Sequence, residues 1–243
     1  YVSTDYVFDG KSGMYKEEDE TNPVGFYGKS KLDGEKAVQN FATYWCIART
    51  STPFGLHPVK KNFPTWVIEN MNKKNHINVL TDQSTSPTYV PNLSRMLIEI
   101  VERKITGIIH VSGASRISRY DFASIIAEKQ NLDKEFLKPI TINEIKWKAK
   151  RPIDSSLDVS LANRKLTEKP MDIQQSLELF LKQAWAILFY TKTSKNSEFM
   201  TEKIKFCLAI YGNPGNGKTF ASKNLTSKFN AKLIPFDEIL DLI

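Results

Sequence analysis

The sequence predicts an α/β fold built on a parallel sheet, and three observations carry that expectation. Short apolar runs alternate with amphipathic segments of helical period along residues 1–185. Proline stands in the first turn of two of those helical segments, and a Ser-x-x-Asp cap opens a third. The 243 residues are 41% hydrophobic, which is enough apolar side chain to bury a sizeable core.

The elements follow in order. Tyr1–Thr4 reads as the end of a buried strand, and residues 9–24, with Gly, Asp and Pro, as a loop. From Tyr27 to about Phe41, apolar and small residues recur at helical spacing, and Trp45–Thr50 is a second strand. Pro64 opens a helix with Trp66, Val67, Ile68 and Met71 as its apolar positions, and Ile77–Leu80 is a short strand. Pro91 opens the next helix, with Leu93, Met96, Leu97 and Ile100 on one face. Ile108–Val111 is a strand ended by Gly113, Ser118 caps a helix over 119–130 with Asp121 at the capping-box position, and a last amphipathic helix runs from about Ile173 to Trp185. Residues 191–203 are polar and aperiodic and read as a linker between a first domain, 1–190, and a second, 204–243. There the pattern restarts with a strand, Ile204–Tyr211, a Gly-rich turn and a helix.

Composition excludes several classes. The formal charge of +7 is spread along the chain, which favours anionic small molecules over nucleic acid, because no basic stripe accompanies a known nucleic-acid module. No apolar run approaches the roughly 18 residues of a membrane span, so no membrane partner is expected. Cys46 and Cys207 lie far apart in strand-like runs, the pattern of reduced thiols in a cytoplasmic protein. No signal peptide is visible. His57, His76 and His110 share no ligand spacing, so no metal site is expected, and His110 reads as a hydrogen-bonded core residue.

One pair suggests proton transfer. Tyr27 and Lys31, four residues apart, share a helix face. A phenol, with a pKa of about 10, is a poor acid at neutral pH, and a neighbouring ammonium would lower it. A hydroxyl at the end of an adjacent strand, Thr4, could bond the same carbonyl oxygen. The spacing alone also fits a solvated Lys beside a half-buried Tyr.

The surrounding words add to the pair. Tyr1-Val2-Ser3-Thr4-Asp5-Tyr6-Val7-Phe8-Asp9-Gly10, Tyr27-Gly28-Lys29-Ser30-Lys31, Arg49-Thr50-Ser51, Asp82-Gln83 before Ser86-Pro87-Thr88, Ser118-Arg119-Tyr120-Asp121, and Arg151-Pro152 before Ser155-Ser156-Leu157-Asp158 fall in one order. In that order they resemble the dTDP-4-dehydrorhamnose reductase family of extended short-chain dehydrogenases, over about residues 1–185. The resemblance implies a Rossmann-type, doubly wound parallel sheet, present in part, with a small substrate-binding subdomain. It implies delivery of hydride from NADP or NAD to the 4-ketone of a nucleotide-linked deoxysugar, as in dTDP-rhamnose biosynthesis, and a homodimer as the candidate assembly. Thr4, Tyr27 and Lys31 resemble the catalytic set: Tyr27 as proton donor, Lys31 as the residue that lowers its pKa and bonds the nicotinamide ribose, Thr4 as the hydroxyl that polarises the ketone. Asp5, Tyr6, Phe63, Gln83 and Arg151 are the substrate-binding candidates, with Arg151 toward the diphosphate. Tyr27, Lys31, Pro53 and Phe54 are the cofactor-binding candidates.

Two departures stand out. Thr52 occupies a position where members carry an aromatic residue, usually Trp. The Gly-rich turn that cradles the pyrophosphate on a helix N-terminus precedes the catalytic strand in the family, and none precedes Tyr1. The expectation is an N-terminally truncated reductase that exposes a sheet edge and binds dinucleotide poorly. A catalytically silent role, as in the regulatory subunit of methionine adenosyltransferase, which resembles the same family, is one alternative. A nucleotide-sugar epimerase or dehydratase is another, with Asp5 as its candidate acid.

A second constellation follows the linker. Gly212-Asn213-Pro214-Gly215-Asn216-Gly217-Lys218-Thr219 fits a P-loop after an apolar strand: backbone N–H groups of Gly212, Gly215 and Gly217 would cradle phosphates, Lys218 would reach the outer phosphate oxygens, and Thr219 would ligate Mg²⁺. It resembles the start of a nucleotide-kinase-like domain, and residues 204–243 alone are too few for ATP chemistry. The alternative is a Gly-rich turn with a chance Lys-Thr.

Overall fold

In the computed structural model, which describes residues 1–57 and 60–193, strands and helices alternate as β1 (Val2–Thr4), α1 (Phe26–Phe41), β2 (Cys46–Thr50), β3 (Pro53–Phe54), α2 (Phe63–Asn72), β4 (Ile77–Leu80), β5 (Ser84–Thr85), β6 (Thr88–Tyr89), α3 (Val90–Glu102), β7 (Gly107–His110), β8 (Ile117–Ser118), α4 (Arg119–Lys129), β9 (Leu137–Ile140), α5 (Ser160–Lys165) and α6 (Ile173–Thr193). The chain divides into two units, Tyr1–Asn196 and Ser197–Ile243, and everything described lies in the first. The expected P-loop residues Gly212, Gly215, Gly217, Lys218 and Thr219, the strand before them and Cys207 lie outside the described residues.

β1, β2 and β7 form a parallel sheet in that order, with Val2 opposite Ala48 and Ile47 opposite Ile108. Parallel neighbours need long crossovers, and α1 supplies the first of them. Successive side chains point to opposite faces of the sheet. On one face Ala48, Ile109 and Val111 meet Leu93, Met96 and Ile100 of α3 and Ala162 and Leu166 of α5. On the other, Arg49 reaches α1, where its guanidinium binds both carboxylate oxygens of buried Glu35 at 3.0 and 2.8 Å. Helices on both faces are the arrangement of a Rossmann-type sheet.

The connection between β2 and β7 and the chain after β7 build a second layer. β4 pairs in parallel with β9, β3 with β6, and β5 in antiparallel with β8. Phe54, Val67, Met71, Val79, Phe122, Ile126, Leu177 and Phe180 fill its core. The caps behave as the residue types require: Asn62 and Thr65 make a capping box on α2, and Ser118 Oγ accepts the Asp121 N–H at 3.0 Å while donating to its carboxylate at 2.6 Å on α4. His110 is fully buried in β7, with Nδ1 3.2 Å from the Asp158 carbonyl.

Two differences from the sequence expectation are local. β9 contains Pro139 with exposed Lys138, so its sequence lacks a strand signal, and pairing with β4 alone makes it a strand. α6 runs to Thr193, so the first three residues of the expected linker continue the helix. No helix among the described residues is long and apolar enough to cross a membrane.

Candidate active site

The site is built where β1 ends. Asp5–Val7 leaves the strand as a single 3₁₀ turn, capped by Thr4, whose hydroxyl accepts the Tyr6 N–H at 3.3 Å. α1 then returns against that turn. Gly28, in its first turn, makes the approach possible, because a Cβ there would run into the Tyr6 carbonyl oxygen. The approach packs the start of α1, with Tyr27 in its first turn, against the turn that leaves β1 at Thr4. The Tyr6 and Tyr27 rings meet edge to face, centroids 5.8 Å apart.

Charge is distributed differently from the sequence expectation. Burial pushes the Tyr27 phenol above its ordinary pKa, the Thr4 hydrogen bond opposes that shift, and the Asp5 carboxylate adds to it. Lys31 Nζ donates to the Val2 carbonyl at 2.6 Å and sits 4.2 Å from the centre of the Tyr1 ring. The cause is burial: Lys31 is 6% exposed, its pKa is brought down to about 8 by desolvation first, and a buried amine takes the nearest strong acceptor.

The expected site residues divide into two groups. Tyr6 faces Tyr27, and Arg151, stacked 4.1 Å over Trp147, bears on the Tyr6 phenol. Phe63 packs on the second core beneath the Arg119 guanidinium, 5.2 Å from its ring. Three others turn inward. Asp5 is 3% exposed, with both carboxylate oxygens bonded to hydroxyls of Thr4, Ser51 and Ser155, so it is not at the edge of a sugar pocket. Gln83 is buried, and its Nε2 ties the Pro152 carbonyl at 3.3 Å. Phe54 stacks in the core against Phe122 and Phe180, so its ring cannot line a nicotinamide, whereas Pro53 stays exposed. In each case burial of a ring or satisfaction of a polar group outweighs display.

Arg119 is the charged neighbour of this site that sequence reasoning passed over. As the first residue of α4 it brings its charge toward Asp5, Tyr6 and Arg151. Its neighbours Ser118 and Asp121 signalled only a helix cap. A concavity of about 940 Å³ lies elsewhere, lined by Val2, Cys46, Leu97, Ile100 and Val101 among others.

A phenol and a hydroxyl at a strand end, with two arginines beyond them, are groups able to give a proton to a bound oxygen and to pair with an anion. Residues 1–185 match the family described as RmlD substrate binding domain. The chain belongs to that family. Among relatives of this RmlD-type chain is dTDP-4-dehydrorhamnose reductase of Aggregatibacter actinomycetemcomitans, 35% identical over 190 residues, covering 73% of this chain and 64% of the relative. Methionine adenosyltransferase 2 subunit beta of Bos taurus is 33% identical over 167 residues, 66% of this chain and 50% of the relative. The crystal structure of dTDP-4-dehydrorhamnose reductase from Bacillus anthracis in complex with NADP superposes with a TM-score of 0.70 at 30% identity, covering 75% of this chain and 64% of that one. The chain thus spans half to just under two thirds of the length of these RmlD-type relatives.

Proposed function

We propose that the protein takes part in NAD(P)H-dependent reduction of the 4-keto group of a nucleotide-linked deoxysugar, with Tyr27 as proton donor. The observation that carries this is the packing of Tyr27, in the first turn of α1, on the turn that leaves the parallel strand β1 at Thr4, with its ring edge to face with Tyr6. The dinucleotide supplies the hydride. Tyr27 gives its hydroxyl proton to the carbonyl oxygen as negative charge develops there, the step in which a positioned acid is worth most. A phenol and the Lys31 amine, on one face of α1, are a donor set suited to ribose hydroxyls, so Tyr27 and Lys31 would hold the cofactor together with the exposed Pro53. Arg151, joined by Arg119, takes the diphosphate: two guanidiniums near each other with aromatic rings beneath them favour a dianion. Thr52 leaves the sugar less enclosed than an aromatic residue would.

The test is incubation of the protein with NADPH and a dTDP-linked 4-keto-6-deoxyhexose. Ketone-dependent NADPH oxidation with formation of the sugar alcohol is the expected result, and bound cofactor and ketone without turnover would contradict it. That second outcome would favour a catalytically silent binding role, for which the similarity to methionine adenosyltransferase 2 subunit beta is the supporting observation. For Gly212–Thr219 we retain phosphate binding as a separate proposal, tested by dialysis against ATP and Mg²⁺ with Lys218→Ala as the control.

A further inference from the structure

The backbone around Arg151 is fixed on both sides. Pro152 packs so closely on Gly10 that a Cβ there would run into the Pro152 Cβ, and the Pro152 carbonyl accepts from Gln83 Nε2 at 3.3 Å. Gly25, the residue before α1, faces the Lys150 carbonyl oxygen, 3.0 Å from where a Cβ would stand. Residues 150–152 are thereby held at the start of α1, the helix that carries Tyr27 in its first turn. The Arg151 guanidinium lies over the Trp147 ring, 4.1 Å from its centre. That ring is held in turn. Its Nε1 donates to the Ile142 carbonyl at 3.2 Å, and both Asp82 carboxylate oxygens accept the Ile142 N–H, at 2.9 and 3.1 Å. A capping box between Thr141 and Glu144 closes the same turn, Ile142–Glu144. Arg49, Arg95, Arg103 and Arg116 each pair with a carboxylate, whereas among the described residues no carboxylate lies within 4.0 Å of the Arg151 guanidinium.

We propose that Trp147 is a positioning residue for the nucleotide end of the substrate: it holds the Arg151 guanidinium by one face, so that the N–H edge is presented to the diphosphate. This role rests on Arg151 being the diphosphate ligand. An exposed arginine side chain samples many rotamers, and an anion that binds it must bear the entropy of fixing it. A ring under the guanidinium fixes it beforehand. The attraction of the cation to the π face uses none of the in-plane N–H groups, so a two-pronged contact with phosphate oxygens stays open to it. An ion pair would orient the side chain as well, but it would occupy those same donors with a carboxylate. The ring can serve as a platform because the Ile142 carbonyl fixes its edge and Asp82 anchors the turn that carries that carbonyl.

The test is binding of dTDP to the full chain, measured by calorimetry at fixed salt, with inorganic pyrophosphate as a second probe read by displacement of dTDP. Trp147→Leu weakens dTDP binding about fivefold or more, and pyrophosphate binding by the same factor. Trp147→Phe, which keeps an aromatic face, stays within about threefold of the wild type. In an Arg151→Ala background, adding Trp147→Leu weakens binding no further, because the ring acts only through the guanidinium. Unchanged affinity in Trp147→Leu overturns the proposal. So does a loss for dTDP that pyrophosphate does not share, because the ring then meets the base, and so does a double variant weaker than Arg151→Ala alone. Should Trp147→Leu fail to fold, the emission of Trp147, taken as wild type minus Trp147→Phe, carries the test: it shifts as dTDP neutralises the guanidinium above the ring, and an unmoved emission overturns the proposal. A wild type that binds no dTDP, or an Arg151→Ala variant that binds it equally well, sinks the diphosphate assignment and this role with it. A loss in Arg151→Ala with none in Trp147→Leu leaves that assignment standing and removes this role alone.

Discussion

Burial decides the ionisation of single residues around this sheet. The pKa of His110 is held down to about 4 by burial first and the Arg49 charge second, against 6.5 for the free side chain. Between those values the unfolded chain binds a proton that the folded chain refuses, so stability falls as pH drops through the window. The neutral ring's contribution is complete above about pH 6.5 and lost toward pH 4, a few kcal/mol at about 1.4 kcal/mol per unit. Urea unfolding at pH 7 and pH 5 should show His110→Gln losing much of the wild-type decline, and an identical decline in both proteins would contradict this origin. At the same scale, the sequence words that hold Tyr6, Tyr27 and Arg151 lie far apart in the chain, and the fold brings Tyr6 edge to face with Tyr27 and within the charge of Arg151. Asp5, Gln83 and Phe54 were misplaced because a residue type does not say whether a side chain faces a pocket or a core, and at these positions the core had the donors and rings that satisfy them. Arg119 was hidden inside a helix-cap signal.

At the scale of elements, α1 carries Tyr27 and is fixed at two points. Deeper in the helix, Glu35 meets Arg49 of β2 with both side chains at most 3% exposed. Removing one partner of a buried pair strands a charge, so Glu35→Ala should cost about 3–5 kcal/mol in denaturant unfolding. A loss under about 1 kcal/mol would mean that the pair does not anchor α1. Near the helix start, Gly28→Ala forces α1 away from the Tyr6 carbonyl and separates Tyr27 from Thr4. Its turnover should drop at least tenfold with the overall fold retained by circular dichroism, and wild-type turnover would show that the close approach is dispensable. The helices were legible because apolar period and caps are local signals, and the starts of α2, α3 and α4 fall within about a residue of the expected ones. β3, β5, β6 and β8, two residues each, exist only through their pairing partners and leave no such trace.

At the scale of the whole described unit, the fold brings the Tyr6 and Tyr27 phenols and the charges of Arg119 and Arg151 to the end of β1. Among the described residues β1 pairs only with β2 in this sheet, and the apolar concavity of about 940 Å³ opens beside it. The parallel α/β class was readable because alternation of strand and helix is a property of the entire chain, whereas the grouping of β4, β9, α2 and α4 into a separate layer depends on contacts between distant residues. The most direct test of proton donation by Tyr27 is the rate of ketone-dependent NADPH oxidation in Tyr27→Phe at saturating NADPH. A fall of about 10²- to 10⁴-fold with ketone binding retained is the predicted result, and a rate within a few-fold of wild type would contradict it.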